Sequence, residues 1–474
     1  MKLSLREKIS YGLGAVGKDM VYMLSATYVL YYFNDILGAD AFAMGVILMV
    51  ARVFDAFNDP IMGVAVAKTQ TKWGKFRPWL MIGTLTNAVV LFLMFAAPPA
   101  LDGKGLIAYA AVTYILWGVT YTMMDIPYWS MIPAFTQGGK EREGLTTLAR
   151  SCAGVGSALI MIFTVKVVST LGTMLGGADA SAKEIERIGF KWFALIVAIL
   201  FIIFIILTCV NIKEKSTVNM ETPSVGQMFK ALLQNDQAMI VVLSIVLINS
   251  AVYITSNLVI YFFKYDFGGM DWQNSYTLFN MFGGAVQILA MMVAYPTLRK
   301  FCSNKKIFFI CVGSAISGYA VLLALAFINM SNVFLLFVPG LFIFGANGVL
   351  QVLTTVFLAN TVDYGDLKNK RRDESVIFSM QTFVVKLASG IAALAASISL
   401  SINNLSSETA ETEEKVDFSL LVPEGSKIGL RMSMSVLPVI VLFIALMIFR
   451  KKFILSDEKM QEIEEELNKR KAAE

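Results

Sequence analysis

Residues 193–210 read FALIVAILFIIFIILTCV, eighteen consecutive positions without a charge. A helix of about 20 apolar residues spans the hydrocarbon core of a bilayer. Working outward, hydropathy predicts about twelve spans. They fall near 12–38, 42–66, 79–98, 105–132, 151–172, 190–211, 238–263, 277–297, 306–328, 333–358, 375–402 and 429–449. Several are interrupted by charges, so a hydropathy scan alone undercounts by one or two. The chain has 474 residues, 57% hydrophobic and 16% charged. Soluble domains run nearer half apolar and a quarter charged, and a single soluble core stops growing well below this length. The expectation is an all-α polytopic membrane protein.

There is no histidine. That excludes Ser-His-Asp catalysis, His-built zinc sites and an imidazole proton relay. Cys152, Cys209, Cys302 and Cys311 form no CxxC pair and read as small buried hydrophobes. The net charge of +5 fits membrane loops better than a nucleic-acid surface. The opening MKLSLREK is charged, without a cleavage site, and does not read as a signal peptide.

Basic residues cluster in alternate loops: Lys68, Lys72, Lys75 and Arg77; Lys140 and Arg142; Lys213, Lys215 and Lys230; Arg299, Lys300, Lys305 and Lys306; Lys368, Lys370, Arg371 and Arg372. Loops 39–41, 267–276 and 329–332 have none. The positive-inside rule therefore predicts two cytoplasmic termini and an even number of spans. The predicted organisation is a six-helix bundle over 1–211, a central cytoplasmic loop over 212–237, a second bundle over 238–452 and a charged tail over 453–474. Two pseudo-symmetric halves around a midplane site follow from the span count, since no clear repeat is visible. The tail 456–474 reads as a charged helix, and 403–427 as an acidic outer loop.

A charge at the centre of a membrane helix costs about 2.5–3.5 kcal/mol on insertion scales, so it has to face protein or water. Span two carries Arg52, Asp55, Asn58 and Asp59. Asp55 and Asp59 are four residues apart, on one helix face. Two carboxylates about 5 Å apart repel by roughly 3 kcal/mol at an effective dielectric of 20. Such a pair suits a bound Na⁺, Li⁺ or H⁺, with Asn58 and Thr122 adding neutral oxygens if spans two and four touch. The competing reading is a salt bridge from Arg52 or another Arg.

Thr122, Asp125 and Trp129 form one stripe of span four. A carboxylate beside an indole is a sugar-binding combination, and a Trp near a helix end is also a common interface anchor. Asp19 supplies a second acceptor, and Lys18 and Arg150 are donors. In the second half, Lys386 sits among small residues with Gln381 and Thr382 nearby. It either balances the carboxylates of the cation site or snorkels to the interface.

These residues lie in long motifs: YGLGAVGKD (11–19), ARVFDAFNDPIMG (51–63), KWGKFRPW (72–79), TYILWGVTYTMMDIPYWS (113–130), TVDYGDLK (361–368) and ESVIFSMQTFVVK (374–386). Through them the chain resembles the glycoside–pentoside–hexuronide:cation symporters nearly end to end. The resemblance implies the major facilitator fold, with twelve transmembrane helices in two six-helix halves, and symport of a sugar with Na⁺, Li⁺ or H⁺. It implies cation binding at Asp55, Asn58, Asp59 and Thr122. Sugar binding is implied at Lys18, Asp19, Asp125, Trp129 and Arg150, with Gln381 and Thr382 from the second half. Arg52 and Lys386 are read as coupling or charge-balance residues, and the resemblance implies Arg142, Asp363 and Arg372 in a cytoplasmic gate. Two positions depart from the family. Gly348 stands where a cavity-lining Trp precedes the VLQV stretch, and is expected to open space for bulkier or differently linked glycosides. Asn360 replaces a gate Asp and is expected to weaken the inward gate by one ion pair.

The expected protein is a multi-pass carrier of the cell's inner membrane working as a monomer. It takes an α-galactoside such as melibiose, or another glycoside, pentoside or hexuronide, by alternating access. It needs no cofactor beyond the co-transported cation and binds no nucleic acid. A lipid or lysolipid carrier of the same fold would want an apolar cleft, against which Lys18, Asp19, Asp125 and Arg150 argue. An intramembrane enzyme or sensor has no nucleophile–base motif or large soluble domain to support it.

Overall fold

Hydrocarbon offers no hydrogen bonds, so a chain crossing it must satisfy its own backbone. The computed structural model describes residues 3–136, 139–177, 180–214, 225–328, 332–369, 374–405 and 417–473. Among these the chain forms twelve long helices and a few short ones. The first seven helices are α1 (Leu5–Tyr31, continued by a π-helical turn Tyr32–Ile36), α2 (Ala41–Lys68), α3 (Arg77–Phe95), α4 (Gly103–Ser130), the short α5 (Ile132–Phe135), α6 (Gly139–Gly176) and α7 (Ala182–Asn211). Then come α8 (Val225–Gln234), α9 (Asp236–Tyr261, then a π turn Phe262–Phe267), α10 (Trp272–Leu289, then a π turn Ala290–Ala294), α11 (Tyr295–Phe301), α12 (Asn304–Ile328) and α13 (Val333–Asn369). The last three are α14 (Glu374–Ile402), α15 (Glu424–Lys452) and α16 (Asp457–Ala473).

The opening stretch lies in α7 and shows why these helices belong in lipid. Val197, Phe201 and Ile205 are fully buried, while Ile196, Ile199, Ile203, Leu207 and Val210 are exposed. Both faces are apolar, and a stripe of this length left facing water would be an aggregation surface. Among the described residues, eleven helices are long and apolar enough to cross a membrane. The exception is α1, whose 27 residues include Arg6, Glu7, Lys8, Lys18 and Asp19. Its start is fixed by a capping box: Glu7 N–H donates to Ser4 Oγ at 3.2 Å, and Ser4 N–H to Glu7 Oε2 at 2.8 Å.

The chain divides into two compact units. The first holds Met1–Thr222, together with Gly268–Thr277 and Leu400–Pro423. The second holds Pro223–Phe267, Leu278–Ser399 and Glu424–Glu474. In the first, α1 packs on α6 and α7, α3 on α4 and α7, and α2 on α4. Small residues set these distances, since dispersion drives helix association in lipid. A Cβ at Gly156 on α6 would strike the Val16 carbonyl oxygen of α1. In the second unit α9 packs on α15 and α13, and α12 on α13 and α15.

Three sequence expectations change here. The region 212–237 is not wholly loop, because it contains α8 and the start of α9. The span ending at 358 continues as helix to Asn369, so Asp363 and Lys368 are helical. The span beginning at 429 starts instead at Glu424. Charged residues are adequate helix formers once outside the hydrocarbon. The tail is helical, and Arg470 Nη1 reaches Asp366 Oδ1 of α13 at 3.5 Å.

Candidate functional site

Two charged centres lie in the first unit. The first joins α1, α4 and α6. Lys18 is 3% exposed, yet it is charged, so it needs counter-ions. Its Nζ sits 2.7 Å from Asp125 Oδ1 and 3.1 Å from Asp19 Oδ2, and it donates to Tyr121 Oη at 3.3 Å. Trp129 Nε1 donates to Asp125 Oδ1 at 3.2 Å. The Arg150 guanidinium lies over the Trp129 ring at 4.0 Å, and Lys18 Nζ over the same ring at 5.0 Å. Lys18, Asp19, Asp125, Trp129 and Arg150 therefore form one electrically balanced cluster. Trp129 is bound into it by hydrogen bond and cation–π contact, as a lone interface anchor would not be.

Neighbouring tyrosines hold α1 and α4 in register. The rings of Tyr11 and Tyr128 stack at 4.5 Å with a 7° interplanar angle. Tyr11 Oη donates to the Tyr128 carbonyl at 2.5 Å, and Tyr128 Oη donates in return to the Tyr11 carbonyl.

The second centre joins α2 and α4. Thr122 Oγ1 donates to Asp59 Oδ1 at 3.1 Å, so the two spans do touch where the sequence suggested. Asp55 is buried, and Arg52 Nη1 donates to its Oδ2 at 3.3 Å. The ion-pair reading thus applies to Asp55. Asn58 is half-buried, and among the described residues its buried amide nitrogen Nδ2 has no hydrogen-bond partner. The two ends of an amide exchange by a ring-flip-like turn, so the same position can present an oxygen. Pro60 lacks an N–H, which frees the Ala56 carbonyl of the preceding turn. Carboxylate, amide and hydroxyl oxygens are hard donors.

Sequence reading missed what connects the centres. Arg52 lies 5.6 Å from the Tyr22 ring, 5.7 Å from Tyr114 and 5.8 Å from Trp117. Trp117 stacks on Tyr121 at 5.3 Å, and Tyr22 meets both rings. Tyr121 is the hydroxyl that Lys18 touches. An aromatic wall on α4, at positions 114, 117, 121 and 128, therefore runs from one centre to the other. Its helical spacing was the available signal.

Gly118 was also missed. A Cβ there would sit 2.5 Å from Asp55 Oδ1. That atom is the tip of a side chain, so Gly118→Ala moves the carboxylate rather than the backbone. Where α2 and α4 hold a cation, the expected result is an affinity lowered about tenfold, as for lost ligand support, with the melting temperature nearly unchanged. A cation-binding titration and a thermal melt check it together.

The remaining residues are placed as follows. Gln381, Thr382 and Lys386 lie on α14, in the second unit, with Lys386 half-buried. Asp363 is half-buried on α13. The side chain of Arg142 and the whole of Arg372 lie outside the described residues. The reading of Gly348 is corrected. It opens no space, because a Cβ there would strike the Gln287 carbonyl oxygen of α10 and stand 3.0 Å from Ala290 Cβ. The glycine permits two helices to approach. Gly348→Trp is accordingly expected to cost about 3 kcal/mol or more by overpacking. Folded yield in detergent should fall, whereas normal yield with an altered sugar preference would contradict this.

Residues 10–454 match the MFS/sugar transport protein family, and the chain belongs to it. The fold is thus that of a membrane carrier of the major facilitator kind. The chain is 27% identical to the putative glycoside/cation symporter YagG of Escherichia coli K12, over 100% of this chain and 96% of that one. It is 26% identical to a lactose permease of Lactobacillus delbrueckii subsp. bulgaricus, over 98% of this chain and 73% of that protein. Its fold also matches the crystal structure of a D-xylose-proton symporter, with TM-score 0.60, 13% identity, and coverage of 95% and 98%. At that identity the likeness speaks for the fold alone.

Proposed function

We propose that this carrier moves a glycoside, of the α-galactoside type, together with Na⁺, Li⁺ or H⁺ in the same direction. The observation that carries the reading is the pair of charged centres, built around the buried Lys18, Arg52 and Asp55 and joined by one aromatic wall. The first centre suits a polyol: Asp19 and Asp125 accept from sugar hydroxyls, Lys18 and Arg150 donate, and the Trp129 face packs on ring C–H groups. Exchange of Arg150 for the sugar on that face would keep the indole covered in both states. The second centre suits a small hard cation at Asp59, Thr122 and Asn58, with Asp55 shared with Arg52. The chain's likeness to a putative glycoside/cation symporter and a lactose permease supports the same class.

Both centres draw on α4, and that is how one ligand favours the other. A cation between α2 and α4 fixes the helix that carries Asp125 and Trp129, so each ligand raises the other's affinity by the same factor. With no histidine in the chain, proton coupling runs through carboxylates. The alternation of basic and uncharged loops supports two cytoplasmic termini and a place in the cell's inner membrane. Inward cation movement then contributes about 2.3 kcal/mol per charge per 100 mV.

The test is uptake of a labelled α-galactoside into proteoliposomes holding only this protein. It is run with and without Na⁺ or Li⁺, at two pH values, against unlabelled competitors. Saturable uptake that a cation or proton gradient stimulates and free sugars inhibit is expected. Inhibition by lysolipids and not by sugars would overturn the proposal.

A further inference from the structure

The second unit contains an apolar groove of about 550 Å³, walled by α10 with its π turn, α11, α12 and α13. That lies within the ~300–1,000 Å³ usual for ligand sites. Small residues make its floor: Ala290, Ala294, Cys311, Gly345 and Ala346. Larger ones flank it, and Leu289, Val293, Ile310, Leu341 and Phe342 are all exposed. The groove therefore opens on the lipid-facing side of the helices.

One end of the groove is cationic on both walls. Thr297 lines it on α11, and Lys300 follows three residues later. Ile310 and Ser314 line it on α12, and Lys306 precedes Ile310 by four. Residues three or four apart share a helix face. Both lysines therefore stand at the mouth, on either side of the turn at 302–303. Both are exposed, and among the described residues neither lies within salt-bridge distance of a carboxylate; Lys306 faces Glu458 of α16 only from further off, near enough to add to the Ser456 hydrogen bond that holds that carboxyl below its ordinary range. Their neighbours differ. Arg299 pairs with Asp457 at 2.7 Å, and Lys305 Nζ donates to the Phe453 carbonyl at 2.8 Å. Phe301, 82% exposed, lies between the lysines as an interface anchor.

We propose that this groove is a binding site for an anionic phospholipid, with an acyl chain along α10–α13 and the phosphate between Lys300 and Lys306. Charge complementarity selects this occupant over a neutral lipid. It also disfavours a second copy of the chain, because a symmetric contact would bring the same cations to the same mouth. Basic pockets between membrane helices at the cytoplasmic face recognise such head groups, and this end is the one proposed to face the cytoplasm.

The experiment is native mass spectrometry of the purified full chain with equal amounts of dioleoyl phosphatidylglycerol and dioleoyl phosphatidylcholine. Preferential retention of phosphatidylglycerol is expected. In the double variant Lys300→Gln, Lys306→Gln the preference should fall roughly tenfold or more, and Lys300→Arg, Lys306→Arg should preserve it. Gly345→Leu fills the groove instead. Its new Cβ meets only Val286 Cγ1 at 3.7 Å, so the backbone accommodates it. That variant should lose phosphatidylglycerol while keeping both lysines. Equal retention of the two lipids by the parent protein would overturn the proposal. So would an unchanged preference in both the Gln variant and Gly345→Leu. Displacement by glycerol 3-phosphate alone would mean a free-phosphate site, and a dimer abolished by Gly345→Leu would mean a second copy; either result also overturns it. Sugar uptake is not the readout, so failure here is distinct from failure of the transport reading.

Discussion

Asp125→Asn is expected to eliminate sugar binding while leaving a folded protein. Asn keeps the size and one acceptor of Asp but loses the charge. Hydrogen bonds to a charged group contribute about 1.5–3 kcal/mol each. Two sugar hydroxyls sharing this carboxylate thus account for about 3 kcal/mol or more, over a hundredfold in affinity. The substitution also leaves Lys18 with Asp19 as its remaining counter-ion, turning a balanced cluster into one with net charge +1. Breaking a buried pair from one side is destabilising, so the single variant should melt lower than its parent. Lys18→Met combined with Asp125→Asn should recover much of that stability without recovering binding. The double variant therefore separates recognition from folding. Titration calorimetry with the transported sugar is the measurement, and unchanged affinity in Asp125→Asn would remove Asp125 from the sugar site.

What the sequence disclosed, and what it hid, follows from how far each signal reaches. Charges inside apolar runs are visible at once because hydrocarbon tolerates them poorly. Lys18, Asp19 and Asp125 were singled out that way, and the structure brings them together. Spacing along one helix was equally legible: Thr122 and Asp125 share a stripe, and Thr122 meets Asp59 across α2 and α4. Spacing does not reveal which partner a charge chooses. Asp55 had two open readings, and the structure pairs it with Arg52. Tyr22, Trp117 and Tyr121 were passed over because aromatic residues at helical spacing in a membrane helix read as ordinary packing until their neighbours are known. Gly348 was misread for a related reason. A missing side chain marks either open space or an approaching backbone, and only the position of Gln287 decides. The ten residues of α8 lie in a polar connection and are too few for a periodic signal to stand out.

Asp59→Cys is expected to abolish cation stimulation of sugar uptake while sugar binding survives. Asp55 and Asp59 share a face of α2, but their partners differ. Asp55 is held by Arg52, itself boxed by Tyr22, Tyr114 and Trp117. Asp59 accepts from the Thr122 hydroxyl. A hydroxyl also offers lone pairs and can rotate to present oxygen to an arriving cation, whereas a guanidinium cannot. Asp59 is therefore the carboxylate that can turn from a hydrogen bond to an ion without leaving a buried charge behind. Its removal should bring the coupling factor, typically about 5–150-fold for linked sites, down to one. By reciprocity the sugar should then no longer raise cation affinity. Thr122→Val takes away a single neutral oxygen and should weaken the coupling without abolishing it. Proton-driven uptake should disappear in Asp59→Cys along with Na⁺ stimulation, because no histidine is present to carry it. The measurement is sugar binding by flow dialysis at zero and saturating Na⁺, beside uptake driven by a pH gradient. If Asp59→Cys retained full cation dependence, the cation would have to bind elsewhere, and α4 would lose its role as the helix shared by both ligands.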